Sequence, residues 1–95
     1  MAAAWNQEVT VALAEVARFY YHGIGTAQDL HKAIEWYRKA AAKGDAEAQY
    51  ALGRAYELGE GVKPNVEEAM RWYEMAAALG DEDAGKAFAD LTNQR

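Results

Sequence analysis

The chain has few residues of the types that enzymes use as nucleophiles, bases or metal ligands. It has no cysteine and only two histidines, His22 and His31. Neither histidine has a partner at the spacing of a metal site or a catalytic triad. His22 is expected to end a helix, where an imidazolium suits the helix dipole, and His31 to face solvent in a first turn. The histidines therefore predict neither catalysis nor metal binding.

Two glycine-rich segments and one acidic cluster are the other candidates for ligand chemistry. Gly23-Ile24-Gly25 and Gly59-Glu60-Gly61 lack the Lys and Ser/Thr of a phosphate-binding loop, so they predict turns. Asp81-Glu82-Asp83 resembles the start of a calcium loop, but Gly85 comes one residue too early and the twelfth position lacks a glutamate. Helix capping explains this cluster better. We expect a protein that is not an enzyme and binds no metal or cofactor.

Charge and hydropathy argue against two classes of partner. The net charge is -5, and the ten Lys and Arg residues are scattered along the chain. Nucleic-acid binding needs clustered cations, so this distribution argues against it. No segment approaches the 18 or more apolar residues of a membrane helix, and the N-terminus lacks the pattern of a signal peptide. We expect a cytoplasmic protein, or a periplasmic or secreted one if a signal sequence was removed.

The chain repeats itself with a period of 36 residues. The segment that begins at Trp36 reads WYRKAAAKGDAEA, and the segment that begins at Trp72 reads WYEMAAALGDEDA. Such a period indicates a solenoid, because units that cannot bury their apolar faces alone must stack on one another. We expect a single domain over residues 1–95, with units at about 12–47 and 48–83 and a half unit at 84–95.

Within each unit the apolar residues follow a helical period. Ala48, Leu52 and Ala55 fall on one stripe, at the spacing that a helix of 3.6 residues per turn aligns. Asp45 and Asp81 each follow a glycine and are suitable N-caps. The pattern predicts five helices, over residues 4–22, 30–43, 46–58, 66–79 and 82–92. The predicted fold class is all-α, a right-handed α-solenoid of antiparallel helix pairs with about two and a half repeats.

The second unit carries a resemblance to a known family. Residues 51–84 read ALGRAYELGEGVKPNVEEAMRWYEMAAALGDEDA. This segment resembles the SEL-one-like repeat (SLR), a relative of the tetratricopeptide repeat, with the pattern L-G-x-x-Y-x-x-G-x-G-V followed by W-Y-x-K-A-A-x-x-G. The first unit matches less closely, because Val16-Ala17 replaces Leu-Gly and Thr26 replaces Val. The resemblance covers about residues 12–92 and implies an adaptor or scaffold that binds other proteins.

The resemblance also implies which residues meet a partner, because tetratricopeptide repeats line a concave groove with the first helix of each unit. The partner-binding candidates are Arg18, Tyr21, Glu47, Tyr50, Arg54, Glu57 and Lys86. Arg18 and Arg54 occupy equivalent positions on adjacent helices, about 10 Å apart at ordinary packing distances. They could hold the carboxylates of an acidic or C-terminal peptide. The alternative is that they form only surface pairs within their own helices, Arg18 with Glu15 and Arg54 with Glu57.

The first helix is more apolar than its counterpart in the second unit. Phe19 stands where the second unit has Ala55, and Val9 stands where it has Asp45. Apolar patches seldom stay bare in a soluble monomer, so this stripe either fills the open end of the core or joins two copies in a homodimer. The self-association candidates are Trp5, Val9, Leu13 and Phe19. Self-association is thus the first alternative to the adaptor function, ahead of an enzyme or a small-molecule binder.

Overall fold

The computed structural model describes the backbone of residues 2–94 and the side chains of residues 12–94. Over the described backbone the chain forms five α-helices and no β-strand. The helices are α1 Ala2–His22, α2 Leu30–Ala42, α3 Ala46–Leu58, α4 Val66–Ala78 and α5 Glu82–Asn93. The predicted all-α fold is confirmed, and the predicted helix limits lie within two residues of the observed ones.

The helices stack in the order in which they occur along the chain. Each helix packs on the next one, and α3 also contacts α5. This arrangement is an α-solenoid of about two and a half repeats, made of the pairs α1–α2 and α3–α4 followed by α5. Where the first helices of successive repeats contact each other, their side chains share one surface.

The repeat is visible in the hydrogen bonds of the turns as well as in the sequence. The backbone amide of Gly23 donates to the carbonyl of Phe19 at 2.8 Å, and 36 residues later Gly59 donates to Ala55 at 2.7 Å. Both glycines have φ above +70°, a conformation that favours glycine because it has no Cβ. The two helix hairpins therefore turn in the same way, and equivalent residues of α1 and α3 face in corresponding directions.

Side-chain caps fix where four of the helices begin. The capping residues of α2 to α5 are Asp29, Asp45, Asn65 and Asp81, and each accepts a backbone N–H at 3.0–3.1 Å. The predicted caps Asp45 and Asp81 are confirmed. Because a cap sets the first residue of its helix, it also sets which residues of that helix face the neighbouring repeat.

Small residues dominate the core, and tyrosines fill the space between them. The first core cluster joins α1, α2 and α3. The second joins α4 and α5, and residues of α3 pack against it. Fully buried alanines in these clusters are Ala17, Ala33, Ala40, Ala48, Ala69, Ala76 and Ala84. Alanines let helices approach closely, while the buried rings of Tyr37 and Tyr73 fill the gaps that they leave.

One close approach joins α3 to α4. A Cβ atom on Gly53 would lie 2.5 Å from the Cδ1 and Cε1 atoms of Tyr73. The Tyr73 ring is only 1% exposed, and its hydroxyl donates to the carboxylate of Glu57 at 2.6 Å. The absence of a side chain at Gly53 therefore lets a large ring lie directly on the α3 backbone.

Candidate functional site

A cleft of about 240 Å³ lies between α1 and α3. Its lining residues are Arg18, Tyr21 and His22 of α1, Tyr37 of α2, Glu47, Tyr50, Ala51 and Arg54 of α3, and Glu60 of the following turn. Five of the seven predicted partner-binding residues thus line one cleft: Arg18, Tyr21, Glu47, Tyr50 and Arg54. The three lining elements α1, α2 and α3 are the ones that share the first core cluster.

Tyr37 joins the cleft to the core. Its side chain is only 6% exposed, although it contributes to the cleft lining. Burial, followed by the nearby charge of Glu47, raises the pKa of Tyr37 from 10.0 to about 12. The phenol is therefore neutral at physiological pH. Tyr50 also lines the cleft, from α3, and packs against Tyr73, with 5.6 Å between the ring centroids.

The turn after α3 closes one end of the cleft. A Cβ on Gly61, which has φ +78°, would lie 2.7 Å from the carbonyl oxygen of Leu30, so the turn fits directly against the start of α2. This contact brings Glu60 to Tyr21, whose hydroxyl donates to the Glu60 carboxylate at 2.9 Å. Burial raises the pKa of Tyr21, and the hydrogen bond to Glu60 adds to the increase.

Arg18 forms an ion pair with a carboxylate of α3, the first helix of the second helix pair. Its guanidinium Nη1 donates to Oε1 of Glu47, so an ion pair links α1 to α3 across the cleft. Both side chains are substantially exposed, 41% for Arg18 and 57% for Glu47. The alternative pairing of Arg18 with Glu15 is therefore wrong, since the carboxylate that meets Arg18 comes from the neighbouring repeat.

Arg54 has no such partner in the described part of the chain. Among residues 12–94 no carboxylate lies within ion-pair distance of its guanidinium. Glu57, the partner expected for a pair within α3, instead accepts the hydrogen bond of Tyr73. Burial raises the pKa values of Tyr21, Tyr37 and Tyr73, and the positive charge of Arg54 partly opposes the increase in all three. Arg54 is thus an exposed cation beside three phenols.

Two of the predicted partner-binding residues do not line the cleft. Glu57 lies outside the lining, and Lys86 lies on the exposed surface of α5. The seven candidates in turn omitted four lining residues, His22, Tyr37, Ala51 and Glu60. The Gly59-Glu60-Gly61 turn was a signal for Glu60, since a residue between two such glycines projects from the helix hairpin. Tyr37 gave no such signal, because it belongs to the second helix of its pair.

The self-association candidates have different environments. Phe19 is 47% exposed, whereas Ala55, its counterpart in the second repeat, is 2% exposed. Leu13 is half-buried and packs against the first core cluster, so it contributes to the core of its own chain. The side chains of Trp5 and Val9 lie outside the described residues. Among the described candidates, Phe19 is therefore the one that remains available on the surface.

The described residues offer neither a metal-binding cluster nor a membrane-spanning helix. Residues 12–94 contain no group of three or more His, Asp or Glu side chains that could hold a metal ion. In the part of the chain that the structure describes, no helix is both long enough and apolar enough to cross a membrane.

The fold and the repeated turns define a helical-repeat protein of the α-solenoid class. The model of the Sel1 repeat family matches residues 10–45 and 46–81. Because these two matches cover most of the chain, the chain belongs to the Sel1 repeat family. The resemblance to the SLR is thereby confirmed, and the repeat is a scaffold built from helices.

Three solved structures share this fold. A Sel1 repeat protein from Oxalobacter formigenes is 42% identical with a TM-score of 0.83, and the match covers 85% of this chain and 61% of that one. The protective antigen c5321 of uropathogenic Escherichia coli strains is 37% identical with a TM-score of 0.85, covering 88% and 18% respectively.

Cysteine rich protein B of Helicobacter pylori is 32% identical with a TM-score of 0.79, and the match covers 82% of this chain and 59% of that one. The chain therefore spans less than two thirds of each of these three proteins. No curated protein sequence matches the chain.

Proposed function

We propose that this chain is a protein-binding adaptor whose cleft between α1 and α3 receives a carboxylate-bearing segment of a partner protein. The proposal rests chiefly on Arg54. Its guanidinium is exposed at the cleft and has no ion pair among residues 12–94. Membership of the Sel1 repeat family supports the proposal, because Sel1 repeats typically mediate protein interactions.

The chemistry of the cleft suits a short peptide segment. A guanidinium binds a carboxylate through two parallel N–H···O bonds, which fix the orientation of the ligand. Tyr21 and Tyr50 add flat surfaces that lose little conformational entropy on binding and are frequent anchors in protein interfaces. The buried phenol of Tyr37 supplies a neutral hydrogen-bonding group at the base of the cleft.

The carboxylate can come from an acidic side chain or from a C-terminus, and a peptide selection distinguishes the two sources. We would select two random display libraries on the protein, one with free C-termini and one with the random segment placed internally. Enrichment of Asp and Glu in both libraries would indicate side-chain recognition, whereas enrichment restricted to free C-termini would indicate terminal recognition. The same selection on Arg54→Ala should lose the enrichment. If the variant enriches the same sequences as the wild type, the proposal is wrong.

Self-association is a second candidate function, favoured by the exposure of Phe19 at a position that is buried in the next repeat. If α1 packs on a second copy, Phe19→Asp should convert a dimer into a monomer. Met75→Asp is the matched control, because Met75 is similarly exposed at 43% but lies on α4. Sedimentation equilibrium reads the mass of each variant. A wild-type protein that stays monomeric at high micromolar concentration would refute this candidate.

A further inference from the structure

The two arginines of the cleft are equivalent in sequence but not in environment. Arg18 and Arg54 stand 36 residues apart, at the same position of successive repeats. Arg18 is paired with Glu47, whereas Arg54 has no carboxylate within ion-pair distance among residues 12–94. Of the two guanidinium groups in the cleft, Arg18 is therefore paired with an anion, whereas Arg54 is free of one as far as the described side chains go.

The backbone of Glu47 is held where its side chain can reach α1. Glu47 is in the first turn of α3, and its N–H donates to the capping carboxylate of Asp45 at 3.0 Å. The cap fixes the start of α3, so the Glu47 side chain projects across the cleft to Arg18. Glu60, the other acidic residue of the lining, is held instead by the hydroxyl of Tyr21.

We propose that Glu47 acts as an internal competitor for Arg18 and thereby sets the cleft to accept one ligand carboxylate rather than two. This inference rests on the proposed function of the cleft. A ligand with a single acidic group binds Arg54 and leaves the Arg18–Glu47 pair intact. A ligand with two neighbouring acidic groups must displace Glu47 from Arg18, and it then lies next to the displaced negative charge.

The exposure of the pair determines the size of the effect. Ion pairs between exposed side chains are weak, because water and salt screen the charges and both side chains lose conformational freedom. Glu47 therefore weakens the binding of a doubly acidic ligand relative to a singly acidic one, but it does not prevent that binding. From the usual strength of such pairs, removing Glu47 should improve the binding of a doubly acidic ligand by up to about fivefold.

Two synthetic peptides test this inference. Both are acetylated and amidated, so that they carry no terminal charge: Gly-Ser-Tyr-Glu-Ser-Gly has one acidic residue, and Gly-Ser-Tyr-Glu-Glu-Gly has two. Nuclear magnetic resonance titration at low salt measures both affinities for the wild type and for Glu47→Gln. We expect the ratio of the doubly acidic to the singly acidic affinity to rise by up to about fivefold in Glu47→Gln.

Two control variants separate competition from a general gain in positive charge. Glu60→Gln removes the same charge from the cleft lining but leaves Arg18 paired, so the ratio should rise less than in Glu47→Gln. The double variant Arg18→Ala with Glu47→Gln lacks the freed guanidinium and should lose the gain. An equal rise in Glu60→Gln, or a gain that persists in the double variant, would overturn the inference.

The experiment also separates this inference from the proposed function. If both peptides bind and Arg54→Ala weakens them, but Glu47→Gln leaves the ratio unchanged, the inference fails and the proposed function stands. If neither the wild type nor Glu47→Gln binds either peptide, the inference fails, because it requires side-chain carboxylates, and the proposed function is then decided by the library with free C-termini.

Discussion

At the scale of single residues, the contact of Gly53 with Tyr73 sets how closely α3 and α4 approach. Gly53→Ala would place a Cβ 2.5 Å from the buried Tyr73 ring. Overpacking of this kind costs about 1–3 kcal/mol, and the better helix propensity of alanine offsets up to about 1 kcal/mol of it. We expect the free energy of unfolding, measured by urea denaturation, to fall by about 1–2 kcal/mol.

Gly85 provides the matched control for this substitution. It also lies within a helix, but a Cβ there would meet only the Cβ of Ala77, at 3.8 Å. Gly85→Ala should therefore leave the protein as stable as the wild type or stabilise it by up to about 1 kcal/mol. Equal changes in stability for Gly53→Ala and Gly85→Ala would show that the contact with Tyr73 does not limit the approach of the helices.

Tyr37 makes the fold sensitive to alkaline pH. Burial is the main reason that its pKa in the folded protein is about 12 instead of 10.0. The folded state holds this proton more tightly than the unfolded state, so the resulting stability is fully present below about pH 10 and is lost as the pH rises through about 12. We expect the free energy of unfolding to fall across this window, and to fall less steeply in Tyr37→Phe. The same pH dependence in both proteins, measured by urea denaturation, would contradict this assignment.

At the scale of elements, the last helix depends on its cap. Asp81 accepts the N–H of Ala84 at 3.0 Å, and α5 packs mainly on α4, with a smaller contact to α3. Asp81→Ala removes this acceptor and should lower the free energy of unfolding by about 1 kcal/mol. Asp81→Asn keeps a capping acceptor and should cost much less. Thermal unfolding followed by circular dichroism compares the two, and an equal loss in both variants would mean that the cap does not stabilise α5.

The helices could be predicted from the sequence because their determinants are local. Each determinant of a helix acts on residues close to it in the sequence. These determinants are the 3.6-residue period, the capping residues Asp45 and Asp81, and the paired glycines. The five helix limits accordingly lie within two residues of the prediction. Five of the cleft residues could be predicted as well, because the resemblance to tetratricopeptide repeats implies that the first helix of each unit lines a groove.

The contacts between repeats could not be predicted in the same way. Arg18 meets Glu47 at a separation of 29 residues, and Tyr21 meets Glu60 at a separation of 39 residues. Such contacts depend on the distance between stacked helices and on side-chain rotamers, neither of which is a property of the sequence period. The sequence therefore predicted both arginines as equal candidates, and the structure distinguishes them.

At the scale of the whole molecule, the two proposed functions use two unlike surfaces of the stack. The cleft between α1 and α3 combines charge with aromatic side chains, whereas the outer face of α1 exposes Phe19 where the next repeat buries Ala55. Charged and aromatic groups suit a polar peptide, and an exposed apolar ring such as Phe19 suits a contact with another helix. Arg18 of the cleft and Phe19 are consecutive residues of α1, so the two proposed surfaces lie on the same helix.

The proposed function depends on Arg54, which we propose anchors a carboxylate of a partner segment. Calorimetry on a selected peptide compares the affinity of the wild type with those of Arg54→Ala and Arg71→Ala. Arg71→Ala removes the same charge from α4, where Arg71 pairs with Glu68 outside the cleft. We expect Arg54→Ala to weaken binding by about tenfold with nearly unchanged thermal stability, and Arg71→Ala to have little effect. Wild-type affinity in Arg54→Ala, or an equal loss in both variants, would contradict the claim.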